Sequence, residues 1–108
     1  MHYPVMLSRA AVRDLEEIHG FVAESDSEAK ADQLADRLQK TLEALATHPE
    51  RGAYPSELRA LGINEYRQVF FKPYRIIYKV IDRKVMIYLI ADGRRDMQSL
   101  LSRRLFES

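Results

Sequence analysis

Tyr74-Arg-Ile-Ile-Tyr-Lys-Val-Ile-Asp-Arg-Lys-Val-Met-Ile-Tyr-Leu-Ile-Ala-Asp-Gly-Arg-Arg-Asp96 has the pattern of two strands, a short polar turn and a pair of arginines. Residues 74–81 and 84–91 are rich in β-branched and aromatic side chains, the composition of strands. Only Asp82-Arg83 separates them, so the spacing predicts a tight β-hairpin. On the first strand Arg75, Ile77, Lys79 and Ile81 share one face, and Ile76, Tyr78 and Val80 the other. Gly93 follows the second strand, where glycine accommodates a positive φ or a close approach. Arg94 and Arg95 come next. Arginine stays charged and presents a planar fork of donors, so this end of the hairpin suits an anionic partner.

Upstream of the hairpin, Tyr3, Val5 and Leu7 alternate with Pro4 and Met6, and Pro4 confines that strand to a sheet edge. Ser8 is placed to cap a helix whose apolar positions are Ala11, Leu15, Ile18 and Val22, with Arg13, Asp14, Glu16 and Glu17 on its wet side. Ser25-Asp-Ser-Glu28 reads as a capping box for a second helix. Its stripe is Ala31, Leu34, Ala35, Leu38, Leu42, Leu45 and Ala46, and His48-Pro49 ends it. So short a connection makes the pair an antiparallel helical hairpin that needs a sheet to cover. Residues 49–63 read as a crossing loop with one helical turn at Ser56–Leu61, and a strand resumes from Glu65 to Phe71. Met97, Leu100, Leu101, Leu105 and Phe106 then recur at helical spacing. The expected fold is α+β, an antiparallel β-sheet with an N-terminal α-helical hairpin packed on one face, in the order β-α-α-β-β-β-α. Residues 1–108 read as a single domain.

The composition, 46% hydrophobic and 31% charged, is that of a soluble globular protein. No apolar run approaches the roughly 18–20 residues that span a bilayer. Met1-His-Tyr-Pro-Val-Met-Leu7 has no cationic region followed by a cleavable apolar core, so no signal peptide is expected. The absence of cysteine excludes disulfides and thiolate metal sites and fits a cytoplasmic location. No metal or cofactor is expected. The formal net charge of +1 conceals a division. Residues 1–50 carry 5 Lys and Arg against 10 Asp and Glu, whereas residues 51–108 carry 12 against 6. A positive C-terminal half can steer anionic partners, although acidic wet helix faces beside an arginine-bearing sheet produce the same asymmetry.

Ser8-x-x-Ala11-x-x-Asp14-Leu15-x-x-Ile18, the Ala- and Leu-rich second helix ending in His48-Pro49, Glu57-Leu58-Arg59-x-Leu61, Tyr74-Arg75-Ile76-Ile77-Tyr78 and Gly93-Arg94-Arg95-Asp96 follow one another along the chain. In that order and spacing the chain resembles the RelE/ParE superfamily, the toxins of bacterial type II toxin–antitoxin modules. The resemblance covers nearly the whole chain. It implies a compact sheet with a helical hairpin on one face and a cognate antitoxin that wraps the toxin. It also implies one of two activities: RelE-like members cut messenger RNA on the ribosome, and ParE-like members poison DNA gyrase.

Under the resemblance, the middle-strand arginine falls on Arg75 and the arginine after the last strand on Arg95, with Arg94 beside it. The lysines of the ribonuclease branch fall on Tyr66 and Gln68, and its C-terminal tyrosine falls near Leu101. RNA cleavage by 2′-OH attack needs a proton acceptor, a proton donor and positive charge on the phosphate. Arg75 and Arg95 would serve such a reaction only as charge stabilisers, because arginine shuttles protons poorly. Tyr66, Lys72, Tyr74 and Asp96 are the candidate replacements for the missing acid and base. His19 and His48 read as solvated or packed residues. The expectation is therefore a toxin nearer the gyrase poisons, with a ribosome-dependent endoribonuclease as the alternative and a non-catalytic binding module with a basic face as a third reading.

The target-binding candidates are Arg67, Lys72, Arg75, Arg94 and Arg95, and the antitoxin-binding candidates Leu100, Leu101, Leu105 and Phe106. Against these stand structural roles. Arg75 has Glu65 or Asp92 as an expected ion-pair partner, and the terminal stripe can fold back on its own sheet. Arg94 and Arg95 oppose the dipole of the following helix, which Asp96 favours as a cap, so local helix physics does not account for them.

Overall fold

The structure is a computed structural model that describes residues 2–106. Its elements run β1 (Val5–Leu7), α1 (Arg9–Ser25), α2 (Glu28–Glu43), α3 (Ser56–Arg59), β2 (Tyr66–Phe71), β3 (Tyr74–Ile81), β4 (Lys84–Asp92) and α4 (Met97–Phe106). The four strands form one sheet in the order β1-β4-β3-β2. β2, β3 and β4 are an antiparallel meander. β1 lies at the edge, as Pro4 requires, but it joins β4 in parallel, pairing Val5–Leu7 with Val85–Ile87. The sheet is thus antiparallel in three strands and mixed at its edge. The helical hairpin between β1 and the meander is the crossover that such parallel pairing needs.

Asp82 and Arg83 both take positive φ, 48° and 62°, the two-residue turn whose twist matches a right-handed hairpin. The register between β3 and β4 shifts once: Ile77 opposes Leu89, whereas Tyr78 opposes Ile87. Tyr88 is the extra residue of a bulge. The bulge inverts the side-chain alternation of β4. Val85 and Ile87 enter the core under the helical hairpin, whereas Leu89 and Ala91 enter the core on the opposite face. A strand apolar at nearly every position can therefore serve both layers.

Ser8 caps α1 as expected, its Oγ accepting from Ala11 N at 3.1 Å. The cap of α2 is Ser27, which accepts from Lys30 N at 3.1 Å, two residues beyond the expected box. Ser25 instead closes α1 by donating to Phe21 O at 2.7 Å. The two helices are tied by His19 Nε2 and Asp32 Oδ1 at 2.7 Å. Ala11, Leu38, Leu42 and Leu45 bury against Val69, Ile76, Tyr78, Val85, Ile87 and Ile90.

Tyr78 sits at the centre of this core with a polar errand. Its hydroxyl donates to Pro49 O at 2.7 Å and accepts from Gly52 N at 3.0 Å, fixing the start of the crossing loop. A Cβ at residue 52 would stand 2.6 Å from Gln68 O and 2.7 Å from that hydroxyl, so the loop approaches closely enough to need glycine. Burial raises the Tyr78 pKa, so the phenol keeps its donor. Tyr78→Phe should lower the unfolding free energy by about 1–3 kcal/mol, because it strands one donor and one acceptor. Urea denaturation reads this directly, and an unmoved midpoint would mean that the loop does not depend on the hydroxyl.

The other face of the sheet carries α3 and α4. Leu58, Met97 and Leu101 pack with Ile77, Leu89 and Ala91 into a second buried cluster. Among the described residues no helix is long and apolar enough to cross a membrane.

Candidate target-binding end of the sheet

The turn between β2 and β3 and the segment leaving β4 meet at one end of the sheet. Tyr74 opposes both Phe71 and Asp92, and Gly93 N donates to Pro73 O at 2.8 Å. Lys72, Arg94 and Arg95 are consequently gathered there from two separate stretches of chain. Asp96 caps the helix that follows: its Oδ1 accepts from Ser99 N at 3.2 Å and its Oδ2 from Ser99 Oγ at 2.8 Å. The serine hydroxyl bond holds the Asp96 pKa below its ordinary value.

The cations at this end are not equivalent. Arg94 donates from Nε and Nη2 to the two oxygens of Asp92, at 2.9 and 2.6 Å, and its own amide donates to the same carboxylate at 2.9 Å. This pairing lowers the Asp92 pKa from 3.8 to about 2. Arg94 remains 80% exposed but already carries its counter-charge. Arg95 and Lys72 are exposed, and among the described residues neither makes a salt bridge. Arg95 borders an open cleft of about 430 Å³ between α1 and the end of β4, which it shares with the carboxylates of Asp14, Glu17 and Asp92, with Tyr74 and with the 71% exposed Phe21.

Two of the other candidate arginines are occupied. Arg75 donates through Nη1 and Nη2 to the carboxylate of Glu57 on α3 at 2.7 and 2.8 Å, and through Nε to Gln68 Oε1 at 2.8 Å. Its side chain is 12% exposed. The expected partners Glu65 and Asp92 pair elsewhere, with Lys79 and Arg94. Asp92 lies opposite Tyr74, one residue out of phase with Arg75, and Glu65 precedes the far end of β2. Arg67 donates to the carbonyls of Glu50 and Gly52 at 3.2 and 2.9 Å and to the Tyr54 hydroxyl at 3.1 Å, with its fork 4.7 Å over the Tyr54 ring. It organises the crossing loop.

The Arg75 bond is the largest influence on Glu57 and lowers its pKa. A depressed carboxyl contributes stability above its unfolded pKa and loses it as pH falls through the folded value. Melting temperature should therefore drop as pH is lowered from about 5 to about 3, and Glu57→Gln should flatten part of that slope. Identical profiles for the two proteins would show that the pair contributes nothing to acid sensitivity.

The two positions on which the resemblance places the ribonuclease lysines hold Tyr66 and Gln68. Tyr66 packs edge-on to Tyr88 with centroids 5.6 Å apart, and burial raises its pKa above 10.0. Gln68 is the ligand of Arg75 Nε. Burial also raises Tyr74. Each of these phenols is held more firmly in its neutral, protonated form, and Asp96 is committed to its cap.

The sequence pattern of the family described as "ParE toxin of type II toxin-antitoxin system, parDE" matches residues 5–97. The chain belongs to the ParE toxin family. Among solved structures, it is similar to a chromosomal ParDE toxin–antitoxin system from P. aeruginosa, with TM-score 0.72 and 19% identity over 84% of this chain and 96% of that one. It is also similar to the free state of an arginine-to-alanine double variant of E. coli toxin RelE, with TM-score 0.61 and 17% identity over 93% of each chain. At these identities the structural likeness concerns the fold. No curated protein matches the sequence.

In this ParE-family chain the terminal stripe folds back on its own sheet. Leu101 is fully buried in the second core, Leu100 and Leu105 pack partly against it, and Phe106 alone of the four is largely exposed, at 53%. Two polar residues that matter here were invisible in the sequence. Glu57 stood inside a recognisable motif without a role. Asp14 read as part of a wet helix face, yet its carboxylate meets Arg104, ninety residues along the chain, at 2.8 Å.

Proposed function

We propose that this ParE-family protein inhibits growth by poisoning DNA gyrase in the cytoplasm and is neutralised by a cognate antitoxin. The observation that carries the reading is Arg95, an exposed cation that makes no salt bridge among the described residues, beside an open cleft, with Lys72 at the same end of the sheet. The alternative, cleavage of ribosome-bound message, lacks support in the residues: Arg75 is committed to Glu57, and Tyr66 and Gln68 stand in the places of the ribonuclease lysines. Membership of a toxin–antitoxin family and the P. aeruginosa ParDE likeness support an antitoxin partner.

The test is a cleavage-complex assay. Purified protein should trap gyrase–DNA complexes and block supercoiling, and absence of both at micromolar concentrations would overturn the reading. Primer extension on translating ribosomes should show intact message. Arg95→Ala should reduce growth inhibition on the order of tenfold or more, the scale of losing a charge-assisted contact to a target, with an unchanged melting temperature. Full toxicity in a folded Arg95→Ala protein would remove Arg95 from the target surface.

A further inference from the structure

We propose that Arg75 is a positioning residue that sets the geometry of the Arg94–Arg95 turn, and that it does not itself touch the target. The inference rests on the reading that Arg95 meets the target, and it assigns the neighbouring arginine a different task. Each of the three nitrogens of the Arg75 head makes a bond within the chain: both terminal nitrogens to Glu57 on α3, and Nε to Gln68 on β2. The two-pronged end of the fork is thus spent on Glu57, the side chain is 12% exposed, and only one N–H on each terminal nitrogen remains uncommitted.

The stem of the same side chain does the positioning. A Cβ built on Gly93 would stand 2.9 Å from Arg75 Cδ and 3.0 Å from its Cγ. The glycine backbone therefore rests directly on the arginine methylenes, and those cannot swing away because the head is pinned to two other elements. From that support Gly93 N reaches Pro73 O, which joins the turn bearing Lys72 to the turn bearing Arg94 and Arg95. Asp92, on the other side of Gly93, holds Arg94. α3, the sheet and the cationic turn thus bear on one side chain. Loss of Glu57 should be felt at Arg95 although, among the described residues, no hydrogen bond or salt bridge joins the two.

The experiment compares Glu57→Gln, Arg75→Met and their double variant in the full-length protein by three readouts: hydrogen exchange at the Gly93 amide, growth inhibition on expression, and thermal unfolding. Each single variant is expected to speed Gly93 exchange on the order of tenfold. Each should lower toxicity to a similar degree, and the double should be no worse than either single change. Arg75→Lys keeps charge and most of the stem but lacks the fork, so it should resemble Arg75→Met. Gly93→Ala, which forces a methyl onto the arginine stem, should reproduce the defect. If Arg75→Met abolishes toxicity while Glu57→Gln keeps it at the wild-type level, Arg75 acts on the target and the proposal is wrong. Rescue by lysine, or unaltered Gly93 exchange in both single variants, overturns it equally. Should Arg75→Met fail to fold, Gln68→Ala removes only the Nε bond and should shift Gly93 exchange in the same direction; no shift counts against the proposal. None of these readouts involves gyrase. Failure to trap cleavage complexes would therefore refute the proposed target and leave this inference standing.

Discussion

Asp14→Ala should destabilise the fold by about 2–4 kcal/mol, an unusual cost for a residue in the first turns of a surface helix. The reason lies at the edge of β4. β1 covers that edge only as far as Ile87, and past the Tyr88 bulge no strand among the described residues pairs with that side. Asp14 Oδ2 accepts from Ile90 N at 2.9 Å, and Arg104 Nη1 donates to Tyr88 O at 2.7 Å. The two side chains join each other through paired bonds of 2.8 and 2.9 Å. Together they do the work of the missing strand, satisfying backbone groups that would otherwise be left open at a sheet edge. They also fasten α4 to α1. Asp14 is 12% exposed and Arg104 23%, so removing either leaves a poorly solvated charge as well as an unpaired backbone group. Asp14→Leu combined with Arg104→Met should cost less than the two single changes together, since neither charge is then stranded. Equilibrium denaturation of the four proteins measures the coupling. Strict additivity would show that the two residues act independently and that the clasp is an accident of proximity.

Leu38→Ala should cost about 2–5 kcal/mol, the largest single loss expected from the helical hairpin. Leu38 is 1% exposed and lies in the cluster that joins α2 to Ile76, Tyr78 and Ile87 of the sheet. Truncation removes the transfer free energy of the lost carbons and leaves a void that a sheet pinned on both faces cannot fill by shifting. Leu38→Met, which conserves volume, should cost less than about 1.5 kcal/mol. Urea midpoints that rank alanine and methionine as equals would mean that the hairpin packs loosely on the sheet.

Much of the architecture was legible because it is written in short-range chemistry. Ser8, the stripes of α1 and α2, Pro4 at the edge and Asp82-Arg83 between β3 and β4 all act on residues within a turn or a strand of themselves. The cap of α2 was misplaced by two residues because Ser25 and Ser27 are chemically alike, and the end of α1 decides between them. The Tyr88 bulge left no mark in the sequence, since Leu89, Ile90 and Ala91 are apolar whichever face they join.

Periodicity and turn chemistry are local properties, and they suffice to specify a mixed helix–sheet fold with two guanidinium groups after the final strand. Which charges remain available follows from long-range packing. Arg75, Arg67, Arg94 and Arg104 look no different from Arg95 along the sequence. Their partners (Glu57, the loop carbonyls, Asp92 and Asp14) differ in sequence distance from two residues to ninety. Whether a cation faces outward or is spent on the fold depends on which elements pack together, and no spacing rule carries that information.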